Sequence, residues 1–155
     1  MNLLKFIKNN LFIQNFVANI VSLIPAYFEF SVAKYLAIKK AMLMTAQDNT
    51  RGSYLEFGVF TGSSFNFAMK VNKKIEKLGY GDMDCEFIGF DSFKGFGDVK
   101  KNDEHPNFRS HVFSVNKKKV LENINKNAKK QKYRIIEGFY KNTIANKTTK
   151  DLKID

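Results

Sequence analysis

The chain has 155 residues, of which 44% are hydrophobic and 14% aromatic, and its formal net charge is +11. This length fits one domain, and the apolar content excludes an intrinsically disordered chain. One cysteine excludes an intramolecular disulfide and predicts a reducing, cytoplasmic setting.

Residues 1–50 are predicted to form an N-terminal helical segment, with a role in packing or as a lid. Apolar side chains recur at helical spacing over 3–24, and Pro25 ends this helix because its ring disfavours helix in the preceding residue. A second helix is predicted over 27–46. Polar residues interrupt the apolar stretch at 11–30, so the first helix is interpreted as amphipathic and no membrane span is expected.

Residues 51–155 predict an α/β domain in which short apolar strands alternate with helices. Strands are expected at 54–60, 85–90 and 133–136, helices at 64–78 and 114–130, a weak helix at 142–150 and the opening of a fourth strand at 152–154. Such alternation indicates a parallel sheet. Right-handed crossovers then put the first strand in the middle, with the second and third strands to one side.

A glycine-rich turn follows the first predicted strand. Glu56 precedes its first glycine, Gly58, and Ser63 and Ser64 follow its second glycine, Gly62. We expect one of the two serines to cap the next helix. Amides at a helix start bind anionic or polar groups, and glycine lets a ligand approach the backbone. The turn is therefore a candidate cofactor loop.

Two phosphate-binding interpretations of this turn fit poorly. A P-loop requires G-x-x-x-x-G-K-[ST], but Gly58 and Gly62 are one residue too close, and Ser63 stands in place of the lysine. A dinucleotide fingerprint requires a middle glycine where this chain has Phe60. An NAD(P)-type dinucleotide-binding domain stays open as an alternative. The aromatic residues of this region, Phe57, Phe60, Phe65 and Phe67, are predicted to belong to the core.

S-adenosylmethionine (SAM) fits the same residues better, because it has no phosphate. Its ammonium requires a carboxylate and its carboxylate requires backbone amides, which Glu56 and the turn at 61–64 supply. Its ribose diol requires a bidentate acceptor at the end of the second strand, where Asp91 stands.

Three segments of the chain share their order and spacing with a known enzyme family. They are Glu56-x-Gly58-x-x-x-Gly62-x-Ser64, Ile88-Gly89-Phe90-Asp91-Ser92-Phe93-Lys94-Gly95-Phe96 and Glu137-Gly138-Phe139-Tyr140-Lys141-Asn142-Thr143-Ile144. In these segments, over 53–144, the chain resembles the macrocin O-methyltransferases. These are class I SAM-dependent methyltransferases that modify sugar hydroxyls of natural products.

The resemblance implies a Rossmann-like class I methyltransferase fold with a parallel sheet, incomplete after strand three and preceded by N-terminal helices. It implies a SAM-dependent O-methyltransferase, or a fragment of one, whose acceptor is a small-molecule hydroxyl, as on a sugar. The implied SAM-binding residues are Glu56, Gly58, Gly62, Ser63 and Ser64 for the methionine end, Asp91 for the ribose, and Ser92, Gly138 and Phe139 near the adenine.

The family has an Asp-rich Mg²⁺ site after strand four, where the metal orients the acceptor hydroxyl. Asp155 is not expected to be a ligand, because too little strand precedes it. His105 and His111 are interpreted as surface or packing residues. No metal ligand and no catalytic residue is assigned, and the 155-residue chain is expected to transfer methyl groups weakly or not at all. The edge of an incomplete sheet also predicts homo-oligomers or poor solubility.

The positive charge comes mainly from lysines interleaved with asparagines, as at 116–119 and 123–132. The arginines are Arg51, Arg109 and Arg134, and arginine is the residue favoured for phosphate and base contacts. The lysines are therefore interpreted as a solvated surface and not as a nucleic-acid site. A non-catalytic basic binding module stays open as a further alternative.

Overall fold

The computed structural model describes residues 10–50, 52–80, 85–103, 105–106, 108–110 and 112–144. The chain divides into two compact units, Met1–Ala37 and Ile38–Asp155. The structural division thus falls before the predicted boundary at 50–51, and the predicted domains stay a proposal.

The first unit is helical in its described part. Helix α1 (Leu11–Ser22) begins after Asn10, whose side chain accepts hydrogen bonds from the N–H groups of Phe12 and Ile13. Helix α2 (Ala26–Gln47) begins after Pro25 and continues into the second unit. Both predicted helices are confirmed, although 3–9 lie outside the described residues. No helix in the described part of the chain is long and apolar enough to cross a membrane.

The second unit contains a parallel sheet of three described strands in the order β1-β2-β3. The strands are β1 (Tyr54–Phe57), β2 (Phe87–Asp91) and β3 (Tyr133–Glu137); the helices are α3 (Ser63–Ile75) between β1 and β2, α4 (Lys117–Ala128) between β2 and β3, and α5 (Tyr140–Thr143) after β3. Parallel strands require such crossover helices, because a tight hairpin joins only antiparallel strands.

The core lies between the sheet and the two crossover helices. Its buried side chains come from the loop after β1, from α3, from β2 and the turn after it, and from α4: Val59, Phe65, Ala68, Met69, Phe87, Phe93, Val120, Ile124 and Ala128. On the opposite face of β2, Ile88 and Phe90 are also buried. Burial on both faces is typical of a central parallel strand.

Differences from the predicted strands have local causes. Strand β1 ends at Phe57, three residues early, because Gly58 adopts a φ of 90° and leaves the extended conformation. Strand β2 includes Asp91 at its end. Of the four phenylalanines predicted as core, Phe65 is fully buried, whereas Phe57 and Phe60 are 54% and 37% exposed because they lie at and beyond the end of β1.

The predicted strand order is confirmed for the second and third strands, which lie on one side of β1. Among the described strands β1 is at an edge, so a central position for β1 would require a further neighbour. The predicted fourth strand at 152–154 and most of the weak helix predicted at 142–150 lie outside the described residues.

Candidate functional site

The carboxyl ends of the three strands meet at one edge of the sheet, and the predicted cofactor turns meet there with them. The Gly58 N–H donates to the carbonyl oxygen of Phe90 over 2.9 Å, which joins the ends of β1 and β2. The Gly138 N–H donates to the carbonyl oxygen of Asp91 over 3.0 Å, which joins β2 to the turn after β3. Ligands of open α/β sheets bind outside this edge.

Glu56 connects β1 to the first turn of α3. Its Oε1 accepts a hydrogen bond from Ser64 Oγ at 2.8 Å, and its Oε2 accepts one from the Tyr54 hydroxyl at 2.6 Å. Burial raises the pKa of Tyr54, and the hydrogen bond and charge of Glu56 raise it further, so this hydroxyl stays a donor. A carboxylate has about four acceptor sites, so a carboxylate that is already hydrogen-bonded can also accept from a ligand ammonium.

The start of α3 lacks a side-chain cap. Gly62 is the N-cap residue, has a φ of 77° and makes no side-chain cap hydrogen bond. The prediction that Ser63 or Ser64 caps this helix is wrong, because α3 already begins at Ser63 and Ser64 donates to Glu56 instead. The first N–H groups of a helix have no intrahelical partner. The uncapped start can therefore donate to an anionic group of a ligand.

Asp91 ties the loop after β1 to the loop after β2. Its Oδ2 accepts from the Phe60 N–H and its Oδ1 from the Phe93 N–H, both at 2.6 Å. The side chain therefore holds the glycine-rich loop in place from the neighbouring strand. A ribose diol would bind at acceptor sites of these two oxygens that the backbone bonds do not use, and this role stays a prediction.

The remaining predicted cofactor residues take part in the same loops. Ser92 Oγ donates to the Gly95 carbonyl oxygen at 3.0 Å, so the hydroxyl closes its own turn. The half-buried Phe139 ring lies against Gly97, where a Cβ atom would be 2.9 Å from Phe139 Cζ. Phe139 therefore supports the loop after β2, and Gly138 joins this turn to Asp91.

Tyr140 lies beside the cofactor loop, next to the predicted cofactor residue Phe139. Its hydroxyl faces Gly58, where a Cβ atom would lie 3.5 Å from the phenolic oxygen. Its ring meets the Phe57 ring edge-on, with centroids 5.8 Å apart. Burial and the charge of Asp91 raise the pKa of Tyr140. The available sequence signal is its position directly after Phe139 in the third family-like segment.

No group of three or more His, Cys, Asp or Glu residues in the described part of the chain is placed to hold a metal ion. His105 is exposed and its ring packs on that of Phe108, while His111 and Asp155 lie outside the described residues.

The site as a whole offers two carboxylates, Glu56 and Asp91, at neighbouring strand ends, together with an uncapped helix start. This donor set fits a zwitterionic amino acid linked to a diol better than it fits a pyrophosphate.

No protein-family model matches this sequence, and no curated protein matches it significantly. Among solved structures, the chain is similar to the calicheamicin methyltransferase CalS11, with a TM-score of 0.59 and 20% sequence identity over 97% of this chain. It is also similar to the O-methyltransferase NovP, with a TM-score of 0.53 and 22% identity over 70% of this chain. The chain spans 60% and 46% of the lengths of these two proteins. The likeness shows that the chain has their Rossmann-like α/β fold.

Proposed function

We propose that this chain is a SAM-dependent O-methyltransferase, or the cofactor-binding part of one, that acts on a small-molecule hydroxyl such as that of a sugar. The observation that carries the proposal is the pair of carboxylates, Glu56 and Asp91, at the ends of adjacent strands around an uncapped helix start. The fold shared with two methyltransferases supports it.

Different residues of the site would bind different parts of SAM. Glu56 would accept from the ammonium, and the amides of Ser63 and Ser64 would donate to the carboxylate. Asp91 would accept from the ribose hydroxyls. Gly58 and Gly62 would let the backbone approach the methionine end, and Ser92, Gly138 and Phe139 would border the adenine.

When bound, SAM would supply an electrophilic methyl group on its sulfonium. The contribution of this chain would be positioning, because Glu56 and Asp91 are already fixed by hydrogen bonds to the chain itself. No general base for the acceptor hydroxyl is assigned, and no group of three or more His, Cys, Asp or Glu among the described residues is placed to hold Mg²⁺. Weak or absent methyl transfer by the 155-residue chain stays a prediction, as do a homo-oligomer and a cytoplasmic setting.

Calorimetry with S-adenosylhomocysteine (SAH), the product form of the cofactor, tests this function on the 155-residue chain. We expect SAH to bind and Glu56→Gln to weaken binding by about tenfold, because a neutral amide loses the attraction to the ammonium. Glu122→Gln, an exposed site on α4, is the matched control and should bind like the parent chain.

Two outcomes would contradict the proposal. A folded chain that binds NADH and not SAH would favour the dinucleotide alternative. A chain that binds neither, but binds RNA with steep salt dependence, would favour the basic binding module.

A further inference from the structure

Four exposed phenylalanine side chains form a continuous aromatic surface beside the cofactor loop. Phe60 is 37% exposed, Phe96 46%, Phe108 50% and Phe113 49%. Phe60 comes from the loop after β1, and the other three come from the segment between β2 and α4. We call these four residues the aromatic surface.

The four rings touch in sequence. Phe60 meets Phe113 with centroids 5.5 Å apart, and Phe113 meets Phe96 at 5.6 Å. Phe96 in turn meets Phe108 at 5.4 Å. All three contacts are edge-to-face, which is a preferred arrangement of aromatic pairs and fixes the rings relative to one another. A contiguous exposed apolar surface of this kind marks a binding site more often than scattered apolar residues do.

The backbone holds two of these rings in an uncommon conformation. Phe60 has a φ of 50° and Phe113 a φ of 65°, in the left-handed region that bulky side chains rarely adopt. Hydrogen bonds maintain it: the Phe60 N–H donates to Asp91, and Val115, two residues after Phe113, donates its N–H to the Phe93 carbonyl oxygen at 3.2 Å. Strained residues that surrounding contacts hold in place cluster at ligand sites.

Phe60 belongs to the cofactor loop and to the aromatic surface at once. Its N–H bonds to the carboxylate proposed for the ribose, and its ring begins the row of exposed rings. A molecule on the aromatic surface would therefore lie next to a cofactor bound between Glu56 and Asp91. The four side chains carry no charge and no hydrogen-bonding group, so they contact a ligand through apolar ring surface, which favours a flat apolar ring.

We propose that the aromatic surface binds the methyl acceptor, and that the acceptor presents a flat apolar ring there. The ring either carries the reacting hydroxyl or is attached to the sugar that carries it. This inference rests on the proposed methyltransferase function, because it assigns the second ligand of the same site.

The test uses 2-naphthol as the probe and the full 155-residue chain. The chain contains no tryptophan, so naphthol fluorescence can be followed with little protein background. Phe96→Ser and Phe113→Asn should each weaken binding by about tenfold, because each removes one apolar ring from the contact. Asparagine tolerates a positive φ, so Phe113→Asn retains the backbone conformation.

Phe16→Ser on α1 is the matched control, because Phe16 is 58% exposed and belongs to the other compact unit. Its naphthol affinity should equal that of the parent chain, and methyl glucoside should not compete with naphthol. SAH binding, measured on the same proteins, should stay within about twofold in Phe96→Ser. Circular dichroism confirms that each variant is folded.

The outcomes separate the two proposals. If the parent chain binds SAH but folded Phe96→Ser and Phe113→Asn bind naphthol as tightly as the parent, the aromatic surface is not the acceptor site, and the proposed function stands. If the parent chain binds SAH but no naphthol at all, the aromatic surface is likewise not the acceptor site, and the proposed function stands. If SAH does not bind, the proposed function fails and the acceptor role fails with it.

Discussion

At the scale of single residues, the two carboxylates of the site bind their own chain before any ligand arrives. Glu56 receives hydrogen bonds from Tyr54 and Ser64, and Asp91 receives two backbone N–H bonds from neighbouring loops. Each carboxylate is therefore held in one orientation, which lowers the ordering cost of binding a ligand. The same bonds make both residues contributors to stability.

We expect Asp91→Asn to lower the free energy of unfolding by about 1–3 kcal/mol. An asparagine amide presents one acceptor and one donor group, so its NH₂ would face the N–H of either Phe60 or Phe93. Urea unfolding followed by circular dichroism measures the change. Asp98→Asn, at an exposed position, should stay within about 0.5 kcal/mol of the parent chain. Equal stability of Asp91→Asn and the parent would show that these two bonds contribute nothing.

Tyr54 gives a pH-dependent prediction. An unfolded tyrosine ionises near pH ~10, whereas burial and Glu56 raise the pKa of Tyr54 in the folded chain. The folded chain therefore binds the Tyr54 hydroxyl proton more tightly than the unfolded chain does. This difference adds to the free energy of unfolding below pH ~10, and the contribution is lost as the pH rises further.

The comparison is between the parent chain and Tyr54→Phe, by urea unfolding between about pH 7 and 11. We expect a constant difference in unfolding free energy up to about pH 9 and a shrinking advantage of the parent above about pH 10. Curves that stay parallel over the whole range would contradict the raised pKa.

At the scale of elements, the junction between β1 and α3 determines the shape of the site. Gly58 directly follows the strand at a φ of 90°, and Gly62 directly precedes the helix at a φ of 77°. The residues between these glycines turn the chain so that the Phe60 N–H reaches Asp91 on the neighbouring strand. The end of β1, the loop after it and the start of α3 therefore depend on one another for their conformation.

We expect Gly62→Ala to destabilise the chain by about 1–2 kcal/mol, because the left-handed conformation is costly for a residue with a Cβ atom. A Cβ atom at this position would also lie 3.2 Å from Ile124 Cγ1. Gly52→Ala is the matched control, since a Cβ atom there meets nothing within 4 Å. Both variants are compared with the parent by urea unfolding, and similar values for the two would rule out this role of Gly62.

At the scale of the whole molecule, the buried core lies in the unit Ile38–Asp155. Helix α1 contains no buried residue, whereas the second half of α2 contributes Ile38 and Met42 to the main core. Ala46 is buried with Val71 and Ile75 in a second cluster. The functional boundary of the α/β unit is therefore expected inside α2 and not after it.

A pair of shortened chains tests this expectation. A chain that begins at Ile38 should unfold with a free energy within about 1 kcal/mol of the parent and should bind SAH equally well. A chain that begins at Gly52 should lose at least about 2 kcal/mol, because Met42 and Ala46 no longer cover the core. Equal stability of the two shortened chains would place the boundary at 50–51 instead.

Elements that depend on near neighbours could be predicted closely. Pro25 separates the two N-terminal helices, and α2 was expected within one residue of each end. The order of the helices and strands in the second unit also followed from alternating apolar runs and helical spacing. The predicted cofactor residues do meet at one sheet edge, because parallel strands place all their carboxyl ends there.

The partners of those residues required the tertiary structure. A serine near a helix start predicts a cap from local sequence alone. Ser64 instead donates to Glu56, because β1 ends beside the first turn of α3. The aromatic surface joins Phe60 to residues from another loop, and Asp91 holds the loop after β1 from the end of the neighbouring strand β2. The amino-acid sequence was enough to predict the elements and the position of the cofactor loop, because both depend on interactions within a few residues. Which carboxylate holds which loop, and which rings stay exposed, could be read from the folded chain alone, because those contacts join residues far apart in the sequence.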